Sequence, residues 1–273
     1  MLRIWSWNVN GLHLWDRLTG AEVDVALLQE APVPTASREG AVVPNPATSW
    51  GTAGWSKRLG TAVVATSEST PLEPLPLTSA EERAPGALLA SRRGTLAAAR
   101  VVIGGERITL VSLYAGWEKS VLGDRPWTIY ADAAAHRLLS DLSGIVDSAR
   151  SHRIIAAGDL NILHRYGDYG SPYWGARYAT VFNRAEAMGL RFVGPQAPHG
   201  RQASPRPAEL PDGSQDVPTY HTRQQGPMGA TRQLDFVFAS DVLADRLSVR
   251  ALNADPAEWG PSDHCRVAIE LQT

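Results

Sequence analysis

Short apolar, β-branched runs separated by polar turns recur along most of the chain. They are LRIWSW (2–7), VDVALLQ (23–29), TAVVAT (61–66), LAAARVVI (96–103), RITLVSLY (107–114), RIIAAG (153–158), LDFVFAS (234–240), RLSVRAL (246–252) and RVAIEL (266–271). Runs of this length and composition predict strands. Helical spacing predicts a helix over 128–150, where Leu138, Leu139, Leu142, Ile145 and Val146 recur, and a second over 178–189 that ends at a capping Gly189. Gly104-Gly105 between two of the runs predicts a hairpin, and the strand, helix, strand order over 107–158 predicts a mixed sheet and an α/β class. Residues 194–232 are rich in Pro, Gly, Gln and Ser without apolar periodicity, which predicts a long functional or mobile loop.

Composition narrows this to a folded chain. With 273 residues, 44% hydrophobic and 20% charged, the sequence suits one domain over 1–273 that carries the 194–232 loop. A net charge of -2 excludes a global positive field but leaves room for a local basic groove. The lone Cys265 forms no intrachain disulfide, the opening MLRIWSWNVN does not resemble a signal peptide, and no apolar run is long enough for a membrane span. The expectation is a cytoplasmic protein with no membrane association and no obligate protein partner.

The chemistry lies where polar residues interrupt the apolar runs. Asn8 and Asn10 end the first, Glu30 ends the second, and Asp159 and Asn161 follow RIIAAG; Asp235 and the Asp263-His264 pair instead begin strands. Strand ends and antiparallel strand starts meet at the same border, so these positions are expected at one sheet edge. Singly, each fits a turn, cap or solvated strand end. Together they form an oxygen-rich set with one imidazole, which suits Mg²⁺ or Mn²⁺ and not tetrahedral zinc. Such a cation points to phosphate chemistry, in which Asp159 is the natural water-orienting base. His264, kept protonated by Asp235, is the natural phosphate clamp.

The ordered motifs WNVNGL, LLQE, SLYAGW, GDLN, QLDFVFAS and SDHC, spanning residues 5–265, resemble the endonuclease/exonuclease/phosphatase superfamily. The resemblance implies a four-layer α/β sandwich, a DNase I-like fold with two mixed, mainly antiparallel sheets face to face and helices outside. It also implies Glu30 as principal metal ligand with Asn10 and Asp263 nearby, Asn8 in support, Asp159 as base and Asn161 on the water or phosphate. His264 oriented by Asp235 would contact the scissile phosphate, and Tyr114 would hydrogen-bond the phosphate or leaving oxygen.

Tyr114 in SLYAGW is similar to the exonuclease III and abasic-site endonuclease branch, which implies DNA repair. Two departures are present: Ala115, Gly116 and Trp117 stand where that branch has Pro-Asn, and Arg232 stands where it has a stacking aromatic. In HRYGDYGSPYWGARY, Arg165, Tyr173, Trp174 and Arg177 suit backbone tracking and base stacking, or else a loop with its own aromatic cluster. Arg232 is a further contact candidate. The reading is a divalent-metal phosphodiesterase acting on DNA as an endo- or exonuclease. The alternatives are a phosphatase or phosphodiesterase on a lipid or small-molecule phosphate, and a non-catalytic binding protein on the same scaffold.

Overall fold

A computed structural model of the protein describes residues 1–18, 22–34, 42–44, 59–78, 84–92, 94–119, 128–146 and 151–272. The strands of its two main sheets, in chain order, are β1 (Leu2–Asn8), β2 (Val25–Pro32), β3 (Val42–Pro44), β4 (Leu59–Ala65), β5 (Glu73–Pro74), β6 (Leu96–Ile103), β7 (Glu106–Tyr114), β8 (Ile154–Asp159), β9 (Leu190–Gly194), β10 (Asp235–Ser240), β11 (Leu247–Ala251) and β12 (Val267–Leu271). The principal helices are α1 (Ala131–Leu142) and α2 (Pro172–Ala187).

Among the described residues these strands form two six-stranded sheets, in the orders β11-β12-β1-β2-β4-β3 and β9-β10-β8-β7-β6-β5. Both are mixed: β1 runs parallel to β2 and antiparallel to β12, while β8 runs parallel to β7 and antiparallel to β10. The faces are joined by a dry core. Leu2, Ile4, Val25, Leu27 and Ile269 of the first sheet meet Ala97, Ile108, Leu110, Ile155 and Val237 of the second. Each of the Leu, Ile and Val side chains among them contributes about 1.5–3 kcal/mol by leaving water. Leu138, Leu139 and Leu142 of α1 and Tyr178, Val181 and Ala185 of α2 cover the far face of the second sheet. The 3-10 turn Trp15–Leu18 helps cover the far face of the first. β8 is buried at every position, as a central strand covered on both faces must be, and this explains its uninterrupted apolar sequence.

The sequence expectations hold for the nine long strands to within a few residues, and the Gly104-Gly105 hairpin joins β6 to β7. The helices differ. The expected 128–150 helix is limited to α1, followed by a 3-10 turn at Ser143–Ile145 around Gly144; Thr128–Ile129 pairs instead with Glu118–Lys119, and 147–150 lie outside the described residues. α2 starts six residues before the expected 178, because Pro172 at its first turn has the fixed φ that a helix start favours. β9 went unforeseen, since Arg191 interrupts a run of only five residues. The 194–232 stretch is irregular but packed: Val217 and Ala230 are buried with Ala251, Trp259 and Cys265.

Candidate functional site

The expected strand-end residues do converge, but on the ends of two sheets and not on the edge of one. In the second sheet Asp159 is the direct neighbour of Tyr114 on one side and Asp235 on the other, which aligns three polar side chains across β7, β8 and β10. In the first sheet Asn8 ends β1 opposite Gln29, so Glu30 follows immediately beyond the pair. Asn8, fully buried, crosses the gap: its Nδ2 donates to Glu30 Oε1 and to Asp159 Oδ2, each at 2.9 Å. Gln29 reinforces the crossing one layer down by donating to Ser112 Oγ of β7 at 2.9 Å.

Backbone irregularities aim the side chains. Glu30 has φ +48°, and the β2/β4 register shifts around it, a bulge that turns its carboxylate out of the strand. Asn10 and Asn161 have φ of +47° and +52°, which asparagine tolerates better than most residues. The Asn10 amide donates to Asn8 Oδ1 at 2.9 Å, and Asn161 donates to both oxygens of Asp159 at 2.9 Å. The Ser262, Asp263, His264 turn is strapped to β1 by two bonds. Ser262 Oγ donates to the Asn8 carbonyl at 2.7 Å, and Trp7 Nε1 donates to the His264 carbonyl at 3.0 Å.

His264 Nδ1 is 2.8 Å from Asp235 Oδ2, while its Nε2 lies 3.8 Å from Asp159 Oδ2. Burial acts to lower the imidazole pKa, but Asp235, Asp159 and Asp263 outweigh it and raise the value to about 10. Burial pushes the Asp159 carboxyl up to about 7, opposed by His264 and assisted by Asp235 and Glu30. Tyr114 is held protonated by burial and by the charges of Glu30 and Asp159, and it hydrogen-bonds Glu30. Asp263 Oδ1 is buried with no hydrogen-bond partner among the described residues.

Asn10, Glu30, Tyr114, Asp159, Asn161, Asp263 and His264 line one cleft of about 330 Å³, while Asn8 and Asp235 stand behind its wall and act through their hydrogen bonds to lining residues. Its other end is formed by Trp117, Leu163, Leu234, Tyr220, Asp168 and Arg232. Of the expected substrate contacts only Arg232 lines it. Arg165 is exposed and borders a separate depression with His164, Phe182 and Phe192. Tyr173, Trp174 and Arg177 sit on the first turns of α2, where the Arg177 guanidinium packs on Tyr130, Tyr173 and Trp174 and pairs with Asp132 at 2.8 Å. Tyr173, Trp174 and Arg177 therefore satisfy one another, because the helix starts early enough to stack them.

Residues 5–264 match the model of the Endonuclease/Exonuclease/phosphatase family. The chain belongs to this family. It is accordingly a metal-dependent phosphoester hydrolase. No curated protein matches the sequence. Solved structures of the family fold align along the whole chain. An AP endonuclease from Archaeoglobus fulgidus is 19% identical with a TM-score of 0.62, covering 100% of both chains. The AP endonuclease LMAP from Leishmania major is 17% identical at 0.64, covering 100% of this chain and 88% of its own. A 3′ phosphatase from Neisseria, solved with a product DNA hairpin, is 18% identical at 0.55, covering 100% of both.

Enzymes of the Endonuclease/Exonuclease/phosphatase family depend on a divalent metal, and the donors present suit one. The set is all oxygen: Glu30, Asn10 and the unpartnered Asp263 Oδ1, at the mouth of an acidic cleft. Among the described residues no three His, Cys, Asp or Glu side chains come close enough to enclose an ion. Oxygen donors of this kind suit a hard divalent cation. Among the described residues, no helix is long and apolar enough to cross a membrane.

Tyr220, Trp117, Asp168 and Thr219 were not legible as site residues. Thr219 Oγ1 accepts from the amides of Leu234 and Asp235 at 3.0 Å, fixing the start of β10. Thr219 supports β10 and the Tyr220 ring lines the cleft only because the irregular 194–232 stretch folds back on β10 and the His264 turn, a placement no local pattern encodes.

Proposed function

We propose that this protein is a Mg²⁺- or Mn²⁺-dependent nuclease that hydrolyses DNA phosphodiester bonds by direct attack of an activated water, with residues 1–273 acting as one domain. The observation that carries the reading is the Asp159–His264 pair. Two ionisable groups 3.8 Å apart have pKa values of about 7 and about 10, so near neutrality a carboxylate able to take a proton faces an imidazolium able to bind a phosphoryl oxygen.

In this mechanism Asp159, fixed by Asn8 and Asn161, orients the water and accepts its proton. Asn161 holds the water or the adjacent phosphoryl oxygen. His264, oriented by Asp235, neutralises charge that builds on the phosphate, and Tyr114 donates to the phosphate or the leaving oxygen. Glu30, Asn10 and Asp263 would hold the cation, with Asn8 fixing Glu30; when bound, the cation polarises a phosphoryl oxygen as a Lewis acid.

DNA as the substrate class is supported by the names of the solved relatives, two of them AP endonucleases and one bound to a DNA hairpin. A cytoplasmic location belongs to the same proposal, in keeping with a buried, unpaired Cys265.

The test incubates the protein with Mg²⁺, Mn²⁺ or EDTA against abasic duplex, intact duplex, single-stranded DNA, RNA and phosphoinositides, with Asp159→Asn as the control. Metal-dependent cleavage of DNA, lost in EDTA, is the expected result. Phosphate release from lipid alone would overturn the nuclease reading. Incision restricted to abasic DNA would assign a repair role despite Arg232.

A further inference from the structure

Tyr220 makes isolated antiparallel bridges to two partners, Arg232 and His264. Residues directly opposite in antiparallel pairing present their side chains on the same face. Arg232, Tyr220 and His264 therefore stand in a row, and all three line the cleft. Each step of such a ladder is about 4.8 Å, which separates the Arg232 and His264 backbones by about 10 Å. The Tyr220 ring lies beside His264, with its centroid 5.0 Å from that of the imidazole.

The guanidinium at the end of the row is held by an anchored carboxylate. Arg232 Nη1 is 3.0 Å from Asp168 Oδ1, and the other Asp168 oxygen accepts from the buried Tyr178 hydroxyl at 2.6 Å. One nitrogen is thus committed, while Nε and Nη2 have no hydrogen-bond partner among the described residues. Arg232 is also the one arginine among the described residues that line this cleft, whose other charged groups are His264 and the acids Glu30, Asp159, Asp263 and Asp168. A guanidinium with free donors in a fork is suited to a phosphate.

We infer that Arg232 binds the phosphate next to the scissile one, with the sugar between the two packed over Tyr220. This rests on the nuclease reading above and narrows its substrate to a strand that carries at least two consecutive phosphates. His264 takes the reacting phosphate, and Arg232 fixes the register of the strand. Asp168 and Tyr178 are positioning residues for Arg232.

The test uses a short oligonucleotide with one defined scissile linkage. Its flanking phosphate, on the 5′ or the 3′ side, is either native or a neutral methylphosphonate, and kcat/KM with Mg²⁺ is measured for wild type, Arg232→Gln and Arg232→Lys. A charge-assisted contact predicts that wild type loses about tenfold or more when one particular flank is neutralised. Arg232→Gln, already about tenfold slower on the native strand, should lose less than about threefold more on the same change, and Arg232→Lys should recover part of the sensitivity. Because each ratio is taken within a single variant, a general loss of folded protein cancels. Equal losses in wild type and Arg232→Gln, or no sensitivity to either flank, would overturn the inference while leaving the nuclease reading intact. Failure of the wild type to cleave any oligonucleotide would overturn that reading and this inference with it.

Discussion

Asp159 and His264 oppose each other across the cleft with protonation states that only the folded chain creates. In the proposed mechanism Asp159 works without its proton and His264 works with one. Activity should therefore rise as Asp159 deprotonates, with a limb at or below about 7 because a bound cation favours the carboxylate, and fall as His264 deprotonates through about 10. Asp235→Asn removes the facing carboxylate that raises the imidazole, so the alkaline limb in a kcat/KM profile should move toward neutrality by about one to three units. An unmoved limb would detach Asp235 from His264. Asp159→Asn should lower kcat by about 10²- to 10⁴-fold in Mg²⁺, the usual worth of a general base; a smaller loss would remove it from that role. Most of these residues were legible in the sequence, because an acid or amide at the end of a buried apolar run needs a reason to be there. The Arg and Tyr side chains of 165–177 were not: interleaved cations and rings are equally good at binding a nucleotide and at binding each other, and here Arg177 packs on its own neighbours.

The elements deliver those residues through strand ends, so the site depends on close strand contacts that the sequence marks by small residues. Gly158 precedes Asp159 at φ +156°, and a Cβ placed there would lie 1.8 Å from the Leu113 carbonyl oxygen of β7. The obstruction is backbone, which cannot rotate aside. Gly158→Ala should destabilise the protein by about 3 kcal/mol or more in urea unfolding and should also displace Asp159 from Tyr114. A cost under about 1 kcal/mol would mean that the parallel β7/β8 contact is adjustable. Gly158 of GDLN stands in the sequence as the last residue of the RIIAAG run, whereas its packing role requires knowing that β8 lies beside β7. The same limit applies to α2 and β9. Local spacing identifies a helix body such as 178–187, but the Pro172 start and the five-residue β9 are decided by what they pack against.

At the scale of the whole molecule, two sheets with an apolar interface bring Glu30 and Asn10 from one side against Asp159 and Tyr114 from the other, and the resulting cleft concentrates negative charge. A cation that binds only the folded state should stabilise it, by about 2.7 kcal/mol at a hundred times its dissociation constant. Thermal melts with and without Mg²⁺ should show that gain in wild type and lose most of it in Glu30→Gln; an undiminished gain in the variant would move the metal elsewhere. The same charge distribution limits how the protein holds nucleic acid. The net charge is -2, and among the described residues Arg232 is the one arginine lining the cleft, so few backbone phosphates can be neutralised within it. Each neutralised phosphate contributes about 0.9 to the steepness with which binding weakens in salt. Binding of Asp159→Asn to uncleaved duplex DNA should therefore depend on salt with a log-log slope no steeper than about -3, and specificity should come from the cleft contacts and the metal instead of long-range attraction. A slope of about -6 or steeper would mean that a basic groove outside the cleft carries the strand, and the Arg232 row would then be the minor part of the grip.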